Sequence, residues 1–190
     1  LLIENCGEKI LNLNDCEITT TEKTDEVYSI TGKVDVLLTQ FSYAAWKGGK
    51  KNKKWRNQAA SEKIKTMSLQ IKKFQPKFVI PFASNMFFSN EENFYLNDSI
   101  NRLDKLKEKL KENASKLIIM SPNDIFGGSH QLLNEKKALK FWGNKYDSID
   151  LKKLNKYFII DLKVLKYNFN LYCERILKNN NMLLIKILRI

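Results

Sequence analysis

Histidine is nearly absent from this chain: His130 is the only one in 190 residues. Transition-metal centres draw most of their ligands from imidazole and thiolate. One histidine therefore excludes, from this chain alone, a histidine-rich zinc site, a Rieske cluster and a Ser–His–Asp triad. Cysteine is also sparse. Cys6, Cys16 and Cys173 are odd in number and lack metal-type spacing, which points to a reducing, cytoplasmic compartment. The glycine pairs Gly48-Gly49 and Gly127-Gly128 are too few to build a phosphate-cradling loop. There is no secretory pattern and no apolar run of about eighteen residues, so no transmembrane segment is expected. The tail from Met182 to Ile190 is apolar but too short to cross a bilayer. It suits an edge strand, a docked helix or a peripheral anchor, and reads best as an interior strand or helix.

Acidic residues are outnumbered. The chain has 33 Lys and Arg against 21 Asp and Glu, a net charge of +12. Residues Lys136 to Ile190 carry +9 of it, and Lys47 to Arg56 place six cations in ten positions. Such runs invite a nucleic-acid or acidic-membrane reading. Most of the cations are lysines, which lack the bidentate fork that favours base readout, so a solvated surface is the simpler use. With 43% apolar residues the chain can bury a core, which argues against wholesale disorder.

Leu1 to Asn5 and Lys9 to Leu13 read as two strands joined at Cys6-Gly7-Glu8. Thr19 to Asp25 is a threonine-rich loop or helix start. Val34 to Phe41 is a strand apolar enough to be buried on both faces. Ser42 to Trp55 is an exposed basic loop. Ala60, Ile64, Met67, Ile71 and Phe74 form one stripe of a long amphipathic helix. Lys77 to Ile80 is a short strand bounded by Pro76 and Pro81. Ser99 to Asn113 reads as a helix capped by Asp98, and Leu117 to Met120 as a further strand. Asp150 to Leu154 and Tyr167 to Leu177 suit helices, and Tyr157 to Leu162 a strand. The alternation predicts a layered α/β fold, with one domain over residues 1–130 and a basic, unassigned extension over 131–190.

Chemistry is expected where polar residues follow buried strands, at the carboxyl edge of the sheet. Three segments qualify: Asn12, Asn14 and Asp15; the loop after Phe41-Ser42; and Ala83 to Asn93. Asp15 is the candidate metal ligand, since a carboxylate fixed at a strand end is a hard oxygen donor. A turn-forming carboxylate is its structural alternative. Glu91 and Glu92 have the chemistry of an acid and a base, but adjacent exposed glutamates are ordinarily just solvated.

The segments ILNLNDC (Ile10 to Cys16), DVLLTQFSYAAW (Asp35 to Trp46) and QPKFVIPFASNMFFSNEEN (Gln75 to Asn93) resemble, in order and spacing, a metallo-β-lactamase-fold family. The likeness is to the metallohydrolase-like part of CMP-N-acetylneuraminate monooxygenase (the CMP-sialic acid hydroxylase) and its bacterial relatives. It covers roughly Leu1 to Ser129. The resemblance implies an αββα sandwich with a dinuclear metal site between its halves. Asp15 would match the bridging carboxylate. Ala83 stands where many members place the last histidine, and Asn90 where some monooxygenase-like members carry one. The His-x-His-x-Asp-His signature of the first half is absent, as is a Rieske ligand set. The chain is therefore expected to be the carboxyl-terminal half of such a protein, or a degenerate, non-catalytic relative. Under that resemblance a divalent metal (zinc, iron or manganese) would be held partly by Asp15. Ser84, Asn85, Asn90, Asn93 and Lys47 would bind an anionic sugar or nucleotide-sugar, and the missing half or a partner chain would complete the site. The alternatives are a nucleic-acid-binding module using the lysine run and the basic tail, and a non-catalytic protein that docks on a partner. An isolated half should expose an apolar patch on one sheet face.

Overall fold

The computed structural model describes residues 1–127, 132–149 and 160–179. Two compact units are present, Leu1–Asn155 and Lys156–Ile190. Among the described residues the fold is mixed α/β, with four strands and five α-helices.

The first unit opens with a hairpin of β1 (Leu2–Asn5) and β2 (Glu8–Asn12). Asn5 pairs with Glu8, so Cys6 and Gly7 form the two-residue turn. Both adopt positive φ, 48° and 80°, as a turn matched to strand twist requires. Helix α1 (Thr21–Thr31) follows. Thr20 caps it, its hydroxyl accepting from Lys23 N at 3.4 Å, and Gly32 ends it at φ 63°. Strand β3 (Val36–Thr39), helix α2 (Lys53–Phe74) and strand β4 (Phe78–Pro81) complete the sheet. The strand order is β1-β2-β3-β4, with β2, β3 and β4 parallel.

One register row explains the core. Leu2, Leu11, Leu37 and Val79 stand side by side across the four strands, and Leu117 continues the row past β4. Leu11, Leu37, Val79 and Leu117 are buried, and Leu2 packs against them. Met67, Ile71 and Phe74 of α2 cover this row, together with Leu103, Leu106 and Leu110. The alternate row, Ile3, Ile10, Val36 and Phe78, points to the other face. There Ile3 is 48% exposed and Phe78 40% exposed. Strand β3 is thus not buried on both faces as its sequence suggests; Val36 and Leu38 are half-buried.

The expected strand at Leu117 is a single bridge, Val79 to Leu117, with Ile118 N donating to Val79 O at 2.9 Å. Pro81 gives the reason. Phe78 N and Phe82 N donate toward β3, to Asp35 O and Thr39 O. Pro81 is out of phase with them, so its nitrogen faces the Leu117 side, where it has no hydrogen to donate.

The helix expected from Ser99 to Asn113 is broken into short pieces. Turns of 3₁₀ helix occupy Phe94–Ser99, Leu103–Lys105 and Lys111–Lys116, around α3 (Leu106–Leu110). Ile100 and Arg102 are extended, with ψ 149° and 138°. Asn101 between them is buried; its amide donates to Phe41 O and Ala60 O, both at 2.7 Å, and its N–H to Ser42 Oγ at 2.9 Å. These bonds hold the segment out of helix. Asp98 is not a cap but the partner of Arg56.

Helix α4 (Glu135–Asp147) adds buried Ala138 to the core, and Trp142 Nε1 donates to Met120 O at 2.7 Å. In the second unit, α5 (Leu162–Asn179) contains the helix expected at Tyr167 to Leu177. Leu162, expected to end a strand, opens this helix, while Tyr157–Ile159 of that strand lie outside the described residues. The helix expected at Asp150 to Leu154, the tail from Met182 and His130 lie outside them as well. No helix among the described residues is long and apolar enough to cross a membrane.

Candidate functional site

The three parallel strands end on one edge of the sheet. Past β2, Leu13 N donates to Leu38 O at 2.9 Å, and Asn12 Oδ1 accepts from Asn14 N at 2.9 Å. This side-chain turn throws the chain outward. Asp15 sits there, exposed, in left-handed backbone at φ 57°. Past β3, the Gln40 amide donates to Asn14 Oδ1 and Asp15 Oδ1, each at 3.2 Å. Its carbonyl oxygen accepts from Lys63 Nζ at 2.8 Å. Asp15, Gln40 and Lys63 therefore form one hydrogen-bonded line from the end of β2 to α2. A second line runs beneath it: Thr39 Oγ1 donates to Gln70 Oε1 at 2.5 Å, and Gln70 Nε2 donates to Ile18 O at 2.9 Å. Both Thr39 and Gln70 are buried.

These residues wall two adjoining hollows. One, of about 220 Å³, is lined by Asp15, Glu17, Thr39, Gln40, Lys63 and Gln70, among others. The other, of about 550 Å³, is lined by Tyr43, Lys47, Glu62, Lys63, Lys65 and Leu69, among others. Thr19, Lys63 and Thr66 belong to both. Burial pushes the Lys63 amine below the usual lysine range, and the nearby charge of Lys47 adds to this; Glu17 and Asp15 oppose it. Burial pushes the Tyr43 phenol up to about 12, and its hydroxyl donates to Leu96 O at 2.6 Å. The cleft thus sets Lys47, Lys63 and Lys65 against Asp15, Glu17 and Glu62, with the half-buried Lys47 and Lys63 amines the groups that an anionic ligand would meet.

Asp15 and Lys47 are thus brought onto one continuous depression. The segment after Pro81 shares the same sheet edge, but β3 stands between it and Asp15. Ser84 is buried; its hydroxyl accepts from Phe41 N at 3.3 Å and donates to Ser42 O at 3.2 Å, tying two loops together. Asn85 faces a separate hollow of about 180 Å³ with Phe141, Trp142 and Tyr146. Asn90 is exposed. Asn93 is half-buried, and its Oδ1 accepts no hydrogen bond among the described residues.

No three His, Cys, Asp or Glu side chains gather at one point among the described residues. Asp15 can supply one oxygen ligand, and those residues do not complete a metal centre around it. Sequence reasoning missed Lys63, Gln70 and Gln40. A signal existed for two of them: Lys63, Thr66 and Gln70 each precede by one residue the apolar positions Ile64, Met67 and Ile71. They form a polar stripe beside the core stripe of α2. No family model, no curated protein and no solved structure matches this chain.

Proposed function

We propose that this chain is a fragment or a degenerate member of a metal-dependent hydrolase family of the metallo-β-lactamase fold, resembling the metallohydrolase part of CMP-sialic acid hydroxylase. Its substrate class would be an anionic sugar or nucleotide-sugar. The observation that carries the reading is the continuity of Asp15, Lys63 and Lys47 along one depression at the carboxyl edge of parallel strands. The exposed row of Ile3, Ile10 and Phe78 supports it too, because an αββα sandwich lays a second sheet on that face.

In this reading Asp15 is the chain's contribution to a zinc, iron or manganese centre, and a further segment or a partner chain supplies the remaining ligands. Lys47 and Lys63 hold the negative group of the substrate. Lys63, whose charge is disfavoured by burial and by Lys47, gains most from an incoming anion, since the anion offsets both effects.

The test pairs metal analysis of the full-length protein with titration calorimetry of cytidine monophosphate. Asp15→Ala is expected to lower bound metal while leaving the nucleotide affinity of this chain largely intact. Lys47→Ala and Lys63→Ala should each weaken the nucleotide. A metal-free protein whose activity survives Asp15→Ala would sink the proposal. Absence of both metal and nucleotide binding would leave the non-catalytic, partner-docking alternative in its place.

A further inference from the structure

The loop between β3 and α2 is irregular, yet it is held from within. Arg56, 1% exposed, donates from Nη1 to Gly49 O at 2.8 Å and from Nη2 to Lys50 O at 3.1 Å. Tyr95 donates its hydroxyl to Gly48 O at 3.0 Å. Gly48 lies at φ 81°, and a Cβ there would sit 2.6 Å from Asn52 Cβ and 2.8 Å from Trp55 Cε3. The position accepts only glycine without a shift of its neighbours.

This frame presents Trp46 and Trp55 to solvent, 61% and 44% exposed. Their rings meet edge to face, with centroids 5.6 Å apart and planes at 87°. Lys50, Lys51, Lys53 and Lys54 are exposed beside them in sequence, and Lys47 leads into the larger hollow. From Val36 to Ser61 there is no Asp or Glu at all. Two indoles on a braced cationic loop leave apolar ring surface in water, a cost that a binding surface recovers.

We propose that residues 44–55 bind single-stranded nucleic acid, with Trp46 and Trp55 stacking on bases and the lysines contacting phosphates. Exposed bases offer the ring faces that indoles stack on, and a duplex hides them. Lysine point charges track a backbone without reading base edges, so the binding is sequence-tolerant. A lipid surface fits less well. Trp46 and Trp55 are the only apolar side chains larger than alanine between residues 44 and 55, too few for an amphipathic face that inserts. Lys47, Lys63 and Lys65 line the adjoining cleft, so the strand has a cationic path leading off the loop. The inference shares Lys47 and Lys63 with the hydrolase reading but rests on Trp46 and Trp55, which take no part in that reading.

The test is fluorescence anisotropy of labelled oligothymidylate and oligouridylate, beside a duplex of equal length and phosphatidylserine vesicles. Single strands are expected to bind tightest. Affinity should fall with salt at a log–log slope of roughly −0.7 per phosphate neutralised. Trp46→Ala and Trp55→Ala should each weaken binding roughly 5- to 150-fold, while Trp46→Phe retains most of it. Lys50→Ala with Lys51→Ala should flatten the salt slope. Trp46 lies outside α2, so Trp46→Ala carries the test if Trp55→Ala does not fold. Single-strand binding unchanged by Trp46→Ala, duplex or vesicles bound as tightly as single strands, or no binding at about 50 mM salt overturns the proposal.

Discussion

Arg56 meets Asp98 through two bonds of 2.7 Å, Nε to Oδ1 and Nη2 to Oδ2. The same guanidinium holds Gly49 O and Lys50 O, and its Cζ lies 5.1 Å from the centre of the Tyr95 ring. One side chain of α2 thereby fixes the basic loop and the turn Phe94–Ser99 together. A planar fork with several donors can do this; an ammonium group cannot.

Arg56→Ala is expected to destabilise the first unit by about 1.5–3 kcal/mol, because it removes a buried side chain and the charge-assisted bonds that hold Asp98, Gly49 O and Lys50 O together. Arg56→Lys should recover little of the loss. Urea denaturation reads both. A lysine variant as stable as the parent would show that charge alone suffices at this position.

The Arg56 guanidinium holds the Asp98 carboxyl below the ordinary carboxylate range, with a smaller contribution from Ser99. A depressed carboxylate stabilises the fold above its unfolded pKa, near 3.8, and that stability is lost as pH falls below this toward the depressed value. The parent should be more stable than Asp98→Asn at neutral pH. The gap should close below about pH 4, as measured by denaturation midpoints across an acid series.

Burial lowers the pKa of both Lys63 and Lys109. Competitive acetylation with trace reagent, read by mass spectrometry, should show these two amines becoming reactive at lower pH than exposed lysines such as Lys54. Lys47→Ala removes a like charge that adds to the effect at Lys63. It should move the Lys63 profile back toward the ordinary range and leave Lys109 unmoved.

The two sheet faces should respond differently to substitution. Leu37→Ala, in the centre of the covered row, is expected to cost about 2–5 kcal/mol. Ile10→Thr, on the outer row, should change stability by about 0.5 kcal/mol or less. Thermal or urea midpoints of the two variants decide this. A large loss at Ile10 would mean that the outer face is packed in solution.

β3 and β4 are legible because each is a short apolar run, β1 and β2 because Cys6-Gly7 marks the turn between them, and α2 because its core stripe is purely apolar. Helix α1 shows in the sequence only as a loop or helix start, for a physical reason. Its packing face is Thr24, Val27, Tyr28 and Thr31, at helical spacing, but two of the four are buried threonines and hide the period. The segment after Asp98 failed differently. Leu103, Leu106 and Leu110 are periodic and buried, yet the bonds of Asn101 to Phe41 and Ala60 break the helix. At the site, Asp15 and Lys47 could be reached from their position after strands. The roles of Ser84 and Gln40 could not, since each bonds residues far away in sequence.

Because the β2–β3 and β3–β4 pairs each span an intervening helix, the parallel part of the sheet cannot be completed until β4 has been made. The β1–β2 hairpin closes within about 1–10 μs of emerging. Leu37 must wait for Val79, which at about 5–20 residues per second takes roughly 2–8 s. During that interval the nascent chain carries bare leucines on an unfinished strand edge. The free edge of β3 is therefore open to pairing with other chains for that interval, until β4 covers it.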